Sequence, residues 1–183
     1  MKDGHIATET DDIKEYKDMN KYYFNRKSKA AQTENKTPKR TSKKGKPNLV
    51  KKLDRIFSLY IRLRDAMPNG YTRCISCGKI KRFEDMDCGH FHSRIHMSTR
   101  FDEDNCNSEC KACNRFSADH LIAYQTNLIR KIGINRFEKL GIQAKSTRHW
   151  LDSELEDRIK YYTKKVNELS QEKEICVKVK KTK

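Results

Sequence analysis

The part of the sequence that decides the fold is framed by two C-x-x-C pairs. Its informative segments read Cys74-Ile75-Ser76-Cys77, Asp87-Cys88-Gly89-His90-Phe91-His92, Asp104-Asn105 and Cys110-Lys111-Ala112-Cys113-Asn114. Two such pairs can close a tetrahedral thiolate site on zinc, with the predicted ligands Cys74, Cys77, Cys110 and Cys113. A ligand set that uses Cys88 or Cys106 is the less favoured alternative. The histidines and asparagines between the pairs are residue types that can hold a second, catalytic metal ion.

The composition limits what the rest of the chain can be. Only 35% of the 183 residues are hydrophobic and 36% are charged, so we expect one modest core in which bound metal supplements apolar burial. The formal charge of +16 favours a polyanionic partner, either nucleic acid or an acidic membrane surface. No apolar run is long enough to span a bilayer, and no secretory signal is expected. Seven cysteines fit reduced metal ligands in a cytoplasmic protein better than a disulfide framework.

The two ends of the chain are too polar to pack. Residues 1–48 are predicted to form a disordered arm whose second half is basic, and residues 171–183 a flexible basic tail. The arm is either a solvated linker or a segment that follows the phosphate backbone, and these two interpretations are compatible. Its candidate phosphate contacts are Lys39, Arg40, Lys43 and Lys44.

Residues 49–170 are predicted to form the folded domain. Apolar residues recur every three or four positions from Leu49, which indicates an amphipathic helix that Pro68 and Gly70 terminate. A second long helix carries one apolar seam from Leu151 to Leu169. We expect this seam to pack against the first helix. The alternative is self-association into a homodimer.

The segment between the cysteine pairs is predicted to contain a strand, a loop and a second short extended piece at Arg100-Phe101. A helix is predicted to begin near Asn114, directly after the second pair. Alternation along a strand from Asp87 to His92 would put His90 and His92 on one face. The predicted fold class is therefore α+β, with a zinc-stapled ββα-metal core flanked by α-helices. The other histidines, His96, His120 and His149, are assigned to surface or packing roles.

Several of these motifs resemble known nucleases. His90, Asn105 and Asn114 between two cysteine pairs resemble the H-N-N form of the HNH endonucleases, and the second pair with its asparagine is similar to the junction-resolving endonuclease VII type. The chain further resembles the phage NinG (Rap) recombination family over about residues 49–169. The segments that carry this resemblance include Phe57-Ser58-Leu59-Tyr60-Ile61-Arg62-Leu63-Arg64-Asp65, Cys88-Gly89-His90, Arg100-Phe101-Asp102-Glu103-Asp104-Asn105 and Lys111-Ala112-Cys113-Asn114-Arg115.

The resemblance implies a metal-dependent DNA endonuclease that acts on branched, Holliday-like recombination intermediates in the cytoplasm of a phage-infected bacterium. In that interpretation His90 is the general base, since a neutral imidazole suits proton abstraction near pH 7. Asn114 ligates a catalytic Mg²⁺ or Mn²⁺ ion, and Asn105 fixes the loop between the strands. The predicted phosphate contacts in the domain are Arg94, Arg100 and Arg115.

One position departs from the HNH pattern. Many HNH enzymes carry an aspartate metal ligand immediately before the catalytic histidine, whereas this chain has Gly89. The site with Asn114 is then completed by His92, Asp87 or Asp104, or by water and the DNA phosphate itself. Strand alternation favours His92. The rival hypothesis is a non-catalytic zinc module that binds nucleic acid through its charge and has no need of His90 or Asn114.

Overall fold

In the described part of the chain a long helix is followed by two short strand pairs and then by four further helices. The computed structural model describes residues 48–117 and 120–177. The elements in these ranges are α1 (Leu49–Asp65), β1 (Tyr71–Arg73), β2 (Ile80–Arg82), a 3₁₀ turn (Phe83–Asp85), β3 (Met86–His90), β4 (Cys106–Cys110), α2 (Lys111–Phe116), α3 (His120–Ile132), α4 (Ile134–Ala144) and α5 (Asp152–Glu172). This mixture of helices with small sheets agrees with the predicted α+β class. Within the described ranges, no helix combines the length and apolarity needed to cross a bilayer.

Helix α1 is the centre of the main hydrophobic core. Its first turn is capped by Asn48, whose side-chain oxygen accepts a hydrogen bond from the backbone N–H of Lys51 at 3.0 Å. Its apolar stripe packs against α5, where the rings of Phe57 and Tyr162 are 4.9 Å apart. The predicted packing of the last helix on the first is therefore confirmed. Self-association through the same seam stays a prediction.

Two antiparallel strand pairs carry the cysteine-rich part of the chain. β1 pairs with β2, and β3 pairs with β4 in a register that sets Asp87 opposite Glu109 and His90 opposite Cys106. The predicted strand over residues 87–92 is shifted, since β3 ends at His90. The predicted extended piece at Arg100-Phe101 is wrong, because both residues lie in consecutive turns.

The β3–β4 pair lies between two apolar clusters. On one side Cys88 and Cys106 contact the α1–α5 core. On the other side Phe91 packs with Tyr124 and Leu128 of α3 and with residues of α4. Residues of β3 therefore face two different environments according to whether their positions are odd or even.

The residues after α5 are not a flexible tail as far as the structure describes them. The ammonium group of Lys173 donates hydrogen bonds to the last carbonyl groups of α1, those of Leu63, Arg64 and Ala66, at 2.6–3.1 Å. Ile175 packs against the main core. Residues 171–177 of the predicted basic tail thus lie in the described structure, where a cation at the C-terminal end of α1 anchors residue 173. Residues 178–183 and the predicted arm, except Asn48, lie outside the described residues.

Candidate functional site

The four predicted zinc ligands converge at the end of β4. The sulfur atoms of Cys74, Cys77, Cys110 and Cys113 all lie within 4.8 Å of one another. Cys77 Sγ and Cys110 Sγ are 3.8 Å apart, which is about the separation that two thiolates have at a tetrahedral zinc ion with Zn–S bonds of about 2.3 Å. The backbone N–H of Cys110 also donates to Cys74 Sγ at 3.3 Å. These donors fit a structural metal ion such as zinc.

The cluster joins the turn between β1 and β2 to the junction of β4 with α2. The first pair follows β1 and turns at Gly78, whose φ of +72° is a conformation that glycine adopts without strain. The second pair spans the last residue of β4 and the first turns of α2. A metal ion held by all four sulfurs would therefore fix the β1–β2 turn against the start of α2.

Asn105 fixes the loop between β3 and β4, which is the role that the sequence suggested for it. Its side chain has no exposure to solvent. The side-chain oxygen accepts a hydrogen bond from the backbone N–H of His92 at 2.7 Å. The side-chain nitrogen donates to the carbonyl groups of His92 and Thr99, both at 2.9 Å. One buried amide thus holds both ends of the loop that follows His90.

His90 is partly buried at the end of β3. Its two ring nitrogens lie 3.2 Å from the carbonyl oxygen of Cys88 and 3.1 Å from that of Arg100. Burial lowers the pKa of His90 below its usual value of 6.5, and the charge of Arg94 lowers it further, against the opposing effect of the two carbonyl groups. The ring is therefore neutral near pH 7, the form required of a general base.

Asn114 reaches β3 through Asp87. Its side-chain nitrogen donates to Asp87 Oδ2 at 3.0 Å, and the guanidinium of Arg115 donates to both carboxylate oxygens of Asp87 at 2.8 and 2.9 Å. Although burial acts to raise it, the hydrogen bonds from Arg115 and Asn114 hold the pKa of Asp87 below its ordinary value. The carboxylate is ionised and hard in ligand character, so it suits a divalent cation.

The structure does not bring His90 and Asn114 onto one face of β3. Asp87 and His90 are three residues apart on the strand, so their side chains point to opposite faces. Asn114 shares the face of Asp87. The candidate base and the candidate cation ligand therefore lie on opposite sides of β3.

Two of the three residues considered as partners of Asn114 have other contacts. His92 lies beyond the end of β3, where its ring stacks edge to face with Phe91 and lies 6.4 Å from the ring of His96. Burial and the charge of His96 lower the pKa of His92 to about 4. Asp104 is paired with Arg136. Asp87, the third of these residues, accepts a hydrogen bond from the side chain of Asn114.

Sequence reasoning missed two residues on the Asp87 face. Glu109 is almost fully buried directly against Gly89, and its carboxylate accepts hydrogen bonds from Ser76 Oγ at 2.5 Å. His120 Nδ1 lies 2.7 Å from the same oxygen. The strand register that places Glu109 opposite Asp87 depends on pairing across a long loop. Local sequence patterns therefore gave no signal for it.

The predicted phosphate-binding arginines differ in how exposed they are. Arg94 is exposed in the loop after β3, and Arg115 is about half exposed on α2. Arg100 is engaged by Asp54 of α1 at 2.6 and 2.9 Å, so its guanidinium braces the loop. The four basic residues of the arm, Lys39, Arg40, Lys43 and Lys44, lie outside the described residues.

The fold and the cysteine cluster define a small α+β protein with a candidate metal site built on a strand pair and a helix. The chain belongs to the NinG family, since residues 4–173 match the family model described as Bacteriophage Lambda NinG protein. It is 30% identical over 122 residues to "Protein ninG" of Salmonella phage P22, covering 66% of this chain and 57% of that protein. It is 28% identical over 123 residues to "Protein ninG" of Escherichia phage lambda, covering 66% and 56%.

The chain thus matches little more than half the length of these curated relatives. No solved structure matches it.

Proposed function

We propose that the chain is a metal-dependent DNA endonuclease of the HNH type, similar to endonuclease VII. Its ββα-metal core would comprise β3, the loop, β4 and α2. The observation that carries the proposal is the hydrogen bond between Asn114 on α2 and Asp87 on β3. Asp87 shares its strand face with Gly89, the position at which many HNH enzymes carry their aspartate ligand. Gly89 cannot supply a side-chain ligand. Asp87 lies two residues earlier on the same face of the strand and would take its place.

A divalent cation such as Mg²⁺ or Mn²⁺ bound there would stabilise the charge that develops on the leaving oxygen of a phosphodiester. Asp87 offers carboxylate oxygens and Asn114 its side-chain oxygen, which are the hard donors that such ions prefer. Asp87 would have to give up its ion pair with Arg115. The guanidinium of Arg115 would then be available to bind a phosphate group in a bidentate manner.

His90 would take the proton from the attacking water. The ring is already neutral near pH 7 because burial lowers its pKa. His90 is the last residue of β3, so a phosphate placed across the end of the strand could approach both the imidazole and the Asp87 face. The buried amide of Asn105 would keep the loop, and with it the carbonyl of Arg100 at the ring, in one position.

The charge and the family support branched DNA as the substrate class. A formal charge of +16 suits a polyanion, and membership of the phage NinG family favours branched recombination DNA. Arg94, exposed beside the base, would contact a phosphate. The protein would act in the host cytoplasm, as a monomer or as a homodimer matched to the symmetry of a four-way junction.

The test incubates the full chain with labelled four-way junction or linear duplex, with Mg²⁺, Mn²⁺ or a chelator. The wild type should cut the junction only when a divalent cation is present. His90→Ala and Asp87→Asn should lower the cleavage rate by about 100-fold or more, in line with the loss of a general base or a metal ligand. His149→Ala is the matched control, because His149 is exposed and outside the site.

A gel-shift assay on the same samples separates catalysis from binding. Wild type that binds the junction but never cuts it would support the non-catalytic zinc module instead. Equal cleavage by His90→Ala and wild type would remove His90 from the mechanism.

A further inference from the structure

Three soft metal ligands converge on the face of the β3–β4 pair that is turned away from Asp87. Cys88 and His90 are two residues apart on β3, so they share a face, and Cys106 lies directly opposite His90 on β4. The two sulfur atoms and a ring nitrogen of His90 all lie within 4.8 Å of one another. Within residues 48–117 and 120–177, this is the second such cluster beside the four-cysteine site.

The donor set is typical of a zinc site with an open coordination position. Two cysteines and one histidine are a common set of protein ligands for zinc, with water or another ligand in the fourth position. Thiolate ligands also exclude hard ions such as Mg²⁺, which prefer oxygen. Cys106 is fully buried, whereas Cys88 and His90 are partly exposed, so an ion could enter from their side.

The surroundings of His90 meet a further requirement of a metal ligand. A histidine that binds a metal through one ring nitrogen usually donates a hydrogen bond from the other to a carbonyl group. Whichever nitrogen of His90 binds the ion, the other has a backbone carbonyl oxygen at 3.1 or 3.2 Å. A neutral imidazole has one N–H and can donate to only one of these two carbonyl groups. Without a bound ion, the lone pair of its other nitrogen faces a carbonyl oxygen, which cannot donate a hydrogen bond to it.

We propose that Cys88, His90 and Cys106 form a second zinc site, separate from the four-cysteine cluster. A zinc ion bound there would also affect catalysis, and this regulatory role rests on the proposed nuclease function. A ring nitrogen that binds zinc cannot accept a proton from water, so zinc at this site switches off His90. The site is therefore an inhibitory zinc site at the general base.

The test counts the zinc ions bound by the reduced full chain, using native mass spectrometry and a titration with Co²⁺ followed by its absorption spectrum. The wild type should bind a second equivalent after the four-cysteine site is filled. Cys88→Ser should weaken that equivalent by more than about 100-fold, since loss of a group that only hydrogen-bonds a ligand already costs about 10–100-fold. Cys176→Ser, at an exposed cysteine remote in sequence from both clusters, should leave both equivalents unchanged.

Cys106→Ala tests the buried ligand in the same way, and circular dichroism reports whether it folds. If it does not fold, Cys88→Ser decides alone, because Cys88 is partly exposed and its variant should still bind the first equivalent. A wild type that saturates at one equivalent, or a Cys88→Ser variant that keeps both, would overturn the proposal. These counts need no cleavage assay, so they stand whether or not the chain proves to be a nuclease.

For a chain that does cleave DNA, zinc added beyond the first equivalent should suppress the Mg²⁺-dependent rate in the wild type. The suppression should need far more zinc in Cys88→Ser. Suppression at equal zinc in the two proteins would mean that the second equivalent does not act through His90.

Discussion

A Cβ atom on Gly89 would lie 2.8 Å from the Cβ atom of Glu109, so the side chain of Glu109 occupies the space that a residue at position 89 would need. Gly89 and Glu109 are diagonal neighbours on one face of the β3–β4 pair. The glycine that departs from the HNH pattern is therefore required by packing. Two carboxylates lie on the same face of the strand pair as Gly89, those of Asp87 and Glu109.

Gly89→Ala should destabilise the fold by about 1–3 kcal/mol, the usual effect of forcing extra atoms into a packed interior. The loss should be measured by urea unfolding. In a Glu109→Gly background the same change should add almost nothing, because the atoms that clash with the new Cβ are gone. Additive losses in the double variant would show that Glu109 is not the obstacle.

Asn105→Ala should lower the free energy of unfolding by about 2–4 kcal/mol. The change removes three hydrogen bonds at a fully buried site and leaves backbone groups of the loop without partners. Urea unfolding measures the loss. Asn69→Ala is the control, because Asn69 is exposed and accepts one bond from the backbone N–H of Tyr71. Similar losses in the two variants would remove the special role of Asn105.

Asp65 should make the fold sensitive to acid. Its carboxylate accepts hydrogen bonds from Arg64, from Lys131 at 2.9 Å and from the backbone N–H of Ser108 at 2.8 Å, which joins α1 to α3 and β4. Although burial acts to raise it, these groups hold the pKa of Asp65 below its ordinary value of 3.8. The unfolded chain therefore binds this proton at a higher pH than the folded chain does.

The contribution of Asp65 is thus fully present above about pH 4 and is lost as the pH falls through the folded pKa. Asp65→Asn should cost about 2 kcal/mol at pH 7, and this difference from wild type should shrink as the pH falls below about 4. Unfolding by urea across pH 2–7 measures it. Asp157→Asn should show no such difference, because its pair with Lys160 is 75% exposed on both sides. A difference for Asp65→Asn that does not change with pH would contradict the assignment.

Removal of metal should loosen the part of the fold that the four cysteines join. A strong chelator should lower the melting temperature of the wild type markedly, since a structural zinc ion contributes on the order of 10 kcal/mol to such units. Cys110→Ser should reproduce the loss without chelator, because Cys110 is a buried member of the cluster. Cys176→Ser should melt as the wild type does. A wild type whose melting is unaffected by chelator would exclude a structural metal.

The sequence by itself determined the four-cysteine ligand set, the amphipathic helix from Leu49, the strand that carries His90 and the helix at the second cysteine pair. These features are local: C-x-x-C spacing brings two sulfurs together within one turn, and apolar periodicity depends on neighbouring residues only. The loop-fixing role of Asn105 was also predicted, because a buried amide can satisfy several backbone groups of a loop at once.

Only the tertiary structure decided which groups share a face. The β3–β4 register sets Asp87 opposite Glu109 and His90 opposite Cys106, and it puts the candidate base and the cation ligands on different sides of one strand. A shift of one residue would exchange the two faces, and the register is fixed by contacts made across the long loop and with the helices on either side. Such contacts have no counterpart in local sequence patterns.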